Sequence, residues 1–405
     1  MMKNDSNSKK PKGPLAGIRI IDLTAVVFGP LATQILGDMG ADVIKVEPPE
    51  GDMLRSVEPS RSTGMGAAFI GSNRNKRSIV LDLKQVPARE ALIKLLETAD
   101  VFVHSMRPQA LKKLKLTTNE LSRINPNLIH VSALGFGSDG PYSGKPAYDD
   151  IIQSLSGLAD LACRRGDPAP QYAPTIIADK LGGVTAAYSI IAALFHRERC
   201  GEAQAIEVPM FETLASFLLV EHMAHATFEE TPQSFGYNRM LVPHRKPLPT
   251  KDGFITILPY TNRQWRAFFG ICGREDMFDD PRLLDMAERS KQIGSLYQLV
   301  GELTPTRTTK EWLEVMEKAD VPAAAVLALG DLPDDPHLKA TGFFIKDRYE
   351  DGTEYWTTKP PVTFSKSPSD SRRRPVPTLG EHGHEILREA GFELADIEGI
   401  LKGVK

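Results

Sequence analysis

Between Ile18 and Glu47 the chain runs from a β-branched stretch, IRIIDL, through a Gly-Pro turn into an apolar periodic segment, then into a second β-branched stretch, ADVIKVE. That succession predicts a strand, a helix and a strand, because short alternation suits a strand and a 3.6-residue period suits a helix. The theme continues. RSIVLDL (77–83), DVFVHSM (100–106), LIHVSALG (128–135) and AQAIEVPM (203–210) read as strands, with PAREALIKLLETA and NELSRINP between them as helices. Strands separated by helices predict a parallel sheet covered on both faces. KLGGVTAAYSIIAALFHRER is apolar almost all round, the pattern of a helix buried in a core or an interface, and FETLASFLLVEHMAHATF reads as another helix.

The texture changes after residue 230. Residues 231–250 hold four prolines and several basic residues and read as a crossing linker. DGFITILPY, a helix around Trp265, RTTKEWLEVMEKA and VPAAAVLAL then form a smaller α/β unit. DLPDDPHLKATG makes a second crossing, and GEHGHEILREAGFELADIEGIL supplies closing helices. The expected fold class is therefore α/β, with a large domain over 14–230 and a small domain over 251–330. Residues 331–405 return to the large domain, and residues 1–13 form a disordered tail. A chain of 405 residues exceeds one core of ordinary size, which agrees with two domains.

Composition removes several classes. With 41% apolar and 25% charged residues the chain has the balance of a soluble globular protein, and a net charge of −3 gives no basic field for nucleic acid or an anionic membrane. Cys163, Cys200 and Cys272 are far apart and make neither a disulfide framework nor a C-x-x-C site. No run of about 18 apolar residues is present, so the expectation is a cytoplasmic protein without a membrane partner.

Several motifs fail in context. The first turn, TAVVFGP, lacks G-x-G-x-x-G although Glu47 stands where a ribose-binding acid would, so an NAD site is disfavoured. GFGSDG (Gly135 to Gly140) satisfies that pattern, but PYSGKP follows and cannot open a helix. His222 and His225 in EHMAH are packing histidines unless further ligands join them, and no metal is expected. NRNKRS (73–78), Arg107, and Lys112, Lys113 and Lys115 place cations at strand ends, which suggests a polyanion such as a phosphorylated nucleotide, with solvated loops as the alternative. Asp179 in TIIADKLGG has two readings. It is a helix N-cap, or it is a carboxylate nucleophile beside Gly182 and Gly183, which would let a ligand approach the chain, with free helix-start amides to hold an oxyanion.

The motifs PLAGIRIIDLT, GPLATQILGDMGADVIKVE, GDMLR, NRNKRSIVLDL, INPNLIHVSALGFGSDGPY, ADKLGG, AALFHRERCGEAQAIEV, DPHLKATGFF and PTLGEH occur in one order from about Pro14 onward. In this the chain resembles the class III coenzyme A transferases, the group of formyl-CoA transferase, carnitine CoA-transferase and α-methylacyl-CoA racemase. The resemblance implies a large Rossmann-like domain, a small domain and long linkers, assembled as an interlocked homodimer. It makes Asp179 the covalent catalyst and CoA or acyl-CoA a substrate, with no permanently bound cofactor. It also places CoA contacts at Val27, Phe28, Asn75, Lys76, Ser105, Met106, Arg107, Lys113, Gly135 and Phe136.

Some positions depart from the formyl-CoA transferase pattern: a first-turn glutamine is Val27, and the glycine-rich loop of the small domain is GYNRMLVP. The racemase branch implies a histidine where Tyr148 stands, and tyrosine is a poorly matched base at neutral pH. A CoA transferase acting on small carboxylic acids is the favoured reading, ahead of a racemase or a non-catalytic CoA-binding protein. Arg239, His244 and Arg245 could meet a substrate carboxylate, which points to dicarboxylates, with a solvated basic linker as the alternative.

Overall fold

The computed structural model describes residues 13–60, 62, 64–349, 352–369 and 373–402. The expected tail lies outside them except for Gly13. The chain divides into two units. The first comprises the described residues up to Ser156, Ala173–Phe217 and those from Lys339 onward; the second comprises Gly157–Tyr172 and Leu218–Leu338. The stretch read as a linker, 231–250, thus belongs to the body of the second unit.

The first unit is built on six strands: β1 Arg19–Leu23, β2 Asp42–Glu47, β3 Lys76–Val80, β4 Val101–His104, β5 Ile129–Leu134 and β6 Ala205–Pro209. Every pairing within this sheet is parallel and the order is β3-β2-β1-β4-β5-β6; a separate antiparallel pair, Phe344–Arg348 with Glu354–Thr358, also belongs to this unit. Each expected strand is present: the runs of β1 to β5 are buried on both faces and need no alternation, while β6 at the sheet edge is largely exposed. Ile20 and Ile21 point to opposite faces and both are wholly buried. On one face Ile21, Ile44, Ile79 and Phe102 meet Leu92, Leu95, Ile386, Leu387, Ile397 and Ile400 from helices Val86–Leu96, Gly383–Glu389 and Leu394–Lys402. The closing helices return to this sheet, as their apolar spacing suggests.

Helices Phe28–Asp38 and Ile177–Cys200 pack on each other and along β1, β2, β5 and β6. Two glycines explain the approach. A Cβ at Gly182 would stand 2.9 Å from the Phe28 ring, and one at Gly183 would stand 2.9 Å from the Phe28 carbonyl oxygen. These glycines serve helix packing, which corrects the expectation that they admit a ligand. Ile177–Cys200 is also, among the described residues, the one helix long and apolar enough to cross a membrane, although the sequence showed no unbroken apolar run; half of that window is buried against the rest of the chain.

The second unit holds an antiparallel sheet of Leu248–Pro249, Phe254–Ile257 and Ala323–Ala325. Its core is Trp265, Phe268, Phe269, Leu296, Trp312 and Met316. Helices Asn262–Ile271 and Thr309–Lys318 open with capping boxes, Thr261 with Gln264 and Thr308 with Glu311, each pair satisfying two helix-start amides.

Candidate active site

In a sheet of this order the chain leaves β1 and β4 in opposite directions, and a crevice opens at the carboxyl ends of the strands where the direction switches. A cavity of about 220 Å³ lies there. Ala25, Val26 and Phe28 line it after β1, Ser105 to Pro108 after β4, Gly135 and Phe136 after β5, and Met210 after β6. The loop Ser143 to Tyr148 and Asp179 complete the wall.

The turn after β1 is strained and strongly supported. Val26 has φ +68°, a left-handed conformation that a β-branched residue adopts at a cost on the order of 1–3 kcal/mol. Its N–H donates to Asp52 Oδ1 (3.3 Å), and Lys45 Nζ joins the other Asp52 oxygen (2.9 Å) to the Thr24 carbonyl (2.9 Å). Glu47 is held by Arg55 through two bonds of 2.7 Å and by the Ser78 hydroxyl. It therefore supports the turn from below and is not a ribose ligand. Asp22 accepts from Thr33 (2.6 Å), Thr24 and Lys76 (3.1 Å), and with that lysine charge opposing burial its carboxyl is held down at about 2. Beneath the loop after β4, the His104 Nδ1 accepts from the Met106 N–H (3.2 Å). Burial, with His130 adding to it, keeps the His104 ring neutral, at about 3.

Asp179 is the third residue of the helix Ile177–Cys200 and is not its cap. Asp149, reaching from the helix Asp149–Leu155, does the capping: its Oδ1 accepts from the Ala178 (2.7 Å) and Asp179 (3.1 Å) amides. Its Oδ2 accepts from Gln153 Nε2 (2.5 Å), and Gln153 Oε1 in turn accepts from the Ala173 N–H. The Ile177 and Lys180 amides go to Thr175 and Ile176 carbonyls. The first-turn amides thus have partners within the chain, which corrects the expectation that they are free for an oxyanion.

The Asp179 carboxyl, 8% exposed, is pushed up to about 6 by burial and then by the Asp149 charge, while the Phe28 backbone N–H pulls the other way. Such a carboxylate is mostly ionised at neutral pH and is more basic than an exposed aspartate. That combination suits nucleophilic attack.

The structure brings Phe28, Ser105, Met106, Arg107, Gly135, Phe136, Tyr148 and Asp179 around one cavity. Gly135 is needed there because a Cβ would lie 2.2 Å from that of Ala147. Five expected residues lie elsewhere. Val27 packs with Leu54, Met65 and Phe69. Lys76, at the amino end of β3 and wholly buried, spends its Nζ on Asp22, the Pro30 carbonyl (2.9 Å) and Asn73 (2.8 Å), so it has no donor for a phosphate. Asn75 donates to Asp38 (2.8 Å) and accepts from the Arg374 amide (2.9 Å). Lys113, on the helix Pro108–Leu114, is exposed and outside the lining, and Arg239 belongs to the second unit. His222 accepts the Tyr237 N–H at Nδ1, a packing role. Among the described residues no three His, Cys, Asp or Glu side chains are grouped to hold a metal. Asp149, Val26 and Lys145 were not anticipated; the acidic pair in KPAYDD was the one sequence signal for Asp149.

The model of CoA-transferase family III matches residues 15–383. Succinate–glutarate CoA-transferase of Agrobacterium fabrum is 34% identical over 394 residues, covering 95% of this chain and 97% of that protein. Acetyl-CoA:oxalate CoA-transferase of Acetobacter aceti is 31% identical, covering 95% and 98%. Among solved structures, a CAIB/BAIF family protein from Brucella suis superposes with a TM-score of 0.79 at 31% identity over 94% of this chain and 100% of that one. Rv3272 from Mycobacterium tuberculosis gives 0.78 at 29% over 92% and 98%. A match that spans the β1–β6 sheet, the cavity at its switch point and Asp179 leaves one assignment: the chain belongs to CoA-transferase family III and is an enzyme of that family.

Proposed function

We propose that the enzyme moves CoA from an acyl-CoA to a carboxylic acid through covalent intermediates on Asp179. The carboxylate oxygen of Asp179 attacks the thioester carbonyl carbon, the C–S bond breaks, and CoA leaves as the thiolate. The product is a mixed anhydride. The thiolate then attacks the Asp179 carbonyl, giving an aspartyl-CoA thioester and releasing the donor acid, which carries away the bridging oxygen. The acceptor carboxylate reverses both steps. One activated acyl bond replaces another, so neither ATP nor a redox partner enters the balance.

The observation that carries this reading is a basic, largely buried carboxylate in the wall of the switch-point cavity. Arg107, exposed on that wall, and Lys145 supply cations for an anionic CoA substrate. Tyr148 lines the same cavity where the racemase pattern has a histidine, which supports transfer over α-proton exchange. Relatives named for succinate–glutarate and succinyl-CoA:mesaconate transfer make dicarboxylic acids the proposed substrate class. A homodimer is proposed as the working form, in keeping with the exposed Val184, Tyr188 and Phe195 along Ile177–Cys200.

The test is a reaction of enzyme with succinyl-CoA and no acceptor, quenched in acid and read by peptide mass. A CoA adduct on the Asp179 peptide, absent from Asp179→Asn, is expected. An adduct on another residue, or turnover with no adduct in either protein, would overturn the covalent assignment.

A further inference from the structure

The second unit contains arginines that lack the partners arginines have elsewhere in this chain. Four are buried among the described residues: Arg55, Arg74, Arg77 and Arg289. Arg55 holds Glu47 (2.7 Å), Arg74 holds Asp38 (2.6 Å) and Arg77 holds Asp42 (2.6 Å), as expected of cations taken out of water. Arg289 holds neutral oxygens only: the carbonyls of Arg282 (2.9 Å), Leu283 (2.8 Å) and Tyr260 (3.1 Å), and the Asn262 side chain.

Its cationic neighbour is Arg239, whose charge adds to burial in holding the Arg289 guanidinium below its ordinary range, while the Asp285 charge pulls the other way. Arg239 Nε and Arg245 Nη1 both donate to the hydroxyl of the buried Tyr297, at 3.3 and 3.4 Å. Both bonds are long for N–H···O contacts, and one neutral oxygen cannot compensate two guanidiniums. Among the described residues no carboxylate lies within ion-pair distance of either arginine. The Arg239 guanidinium lies over the Tyr260 ring, 5.0 Å from its centroid, and among the described residues it makes its hydrogen bond through Nε, not through its two terminal nitrogens. Stacking of this kind fixes the plane of the fork and leaves its outer edge available for a planar anion.

We propose that Arg239 and Arg245, braced by Tyr297, form a carboxylate-binding site in the second unit, whose ligand is the free carboxylate of a dicarboxylic acid. The fork geometry of two adjacent guanidiniums matches the two oxygens of a carboxylate. The choice of ligand rests on the transferase reading above, since acids are the substrates it requires; the cationic cluster itself does not.

The test begins with the unaltered full chain. Calorimetric titration with glutarate, butyrate and inorganic phosphate should show glutarate binding at least tenfold tighter than butyrate, which has the same chain but one carboxylate. Arg239→Gln, Arg245→Gln and the charge-keeping Arg239→Lys should each weaken glutarate about tenfold or more, with thermal unfolding within a few degrees of wild type for the lysine variant. In turnover, Arg239→Lys should raise KM for glutarate while leaving kcat, and KM for a monocarboxylic acceptor, close to wild type. Asp179→Asn should bind glutarate normally, so loss of the covalent label with glutarate binding retained would count against the transfer mechanism and not against this site. Equal binding of glutarate and butyrate, phosphate binding as tight as glutarate, or Arg239→Lys indistinguishable from wild type toward glutarate would overturn the proposal and leave a solvated arginine pair.

Discussion

Replacing Asp149 by asparagine should move the acid limb of the rate profile downward. Asp149 acts on Asp179 in two separable ways: it accepts the Ala178 and Asp179 amides, and it carries a negative charge that helps push Asp179 up to about 6 from an ordinary 3.8. An asparagine keeps an acceptor oxygen and removes the charge. Burial is the larger cause and remains, so Asp179 should settle between the two values, a fall of about one pH unit, or roughly 1.4 kcal/mol. The sign follows from the direction. A lower value leaves more carboxylate at pH 5 and a less basic nucleophile at pH 8, so relative activity at pH 5 should rise while the plateau falls. A stability cost accompanies this, because the asparagine amide meets Gln153 Nε2, donor against donor, where a 2.5 Å bond existed. An unmade buried hydrogen bond costs about 1–3 kcal/mol, while the lowered Asp179 returns about 1.4 kcal/mol above pH 6, so the melting temperature should drop most near pH 4 and least above pH 6. The assay is kcat/KM from pH 4.5 to 8.5 for both proteins, with an acyl-CoA whose acid titrates below that range. An acid limb that stays in place or moves up would refute the claim that the Asp149 charge tunes Asp179.

Further outcomes can be checked independently. Asp179→Asn should abolish turnover by three or more decades, about 4 kcal/mol of barrier, yet stabilise the fold at pH 7.5. A carboxyl raised from 3.8 to about 6 by folding opposes the folded state by up to about 3 kcal/mol above pH 6, and the gain should vanish in melts near pH 4. Lys76→Met should cost about 3–5 kcal/mol in denaturant melts because the buried Asp22 loses its ion-pair partner and keeps only the Thr24 and Thr33 hydrogen bonds and the Lys45 charge, while CoA affinity of the folded protein stays near wild type. Gly183→Ala should lose about 1–3 kcal/mol in the same melts, since its Cβ meets a backbone oxygen at 2.9 Å that cannot move without shifting the helix Phe28–Asp38.

The sheet was legible because its strands are short β-rich runs closed by turns, and burial of β1 to β5 on both faces leaves no alternative face for them. The site was legible in part. Asp179 stood out beside its two glycines, but the reason for those glycines was hidden: they make room for Phe28, which lies some 150 residues earlier in the chain. Capping by Asp149 comes from 30 residues upstream and leaves no local spacing to read. Lys76 looked like a phosphate ligand because cations at a strand end invite that reading. It lies at the amino end of β3, and its side chain runs inward to Asp22, a direction that strand periodicity alone does not give. Val26 is invisible in sequence, since valine is among the last residues expected at positive φ; the Asp52 and Lys45 network that holds it is a tertiary feature. Arg239 and Arg245 were noticed for their charge, while the lack of a carboxylate beside them emerged only from the packing of Tyr297 and Tyr260.

The proposed transfer carries one oxygen atom through Asp179, and that atom can be followed. Enzyme turning over succinyl-CoA with glutarate whose carboxylates are labelled with oxygen-18 should, over many turnovers, release succinate carrying label from the acceptor, and the Asp179 peptide should gain the same label. Released succinate free of acceptor oxygen, with an unlabelled Asp179 peptide after extensive turnover, would contradict the covalent aspartyl route.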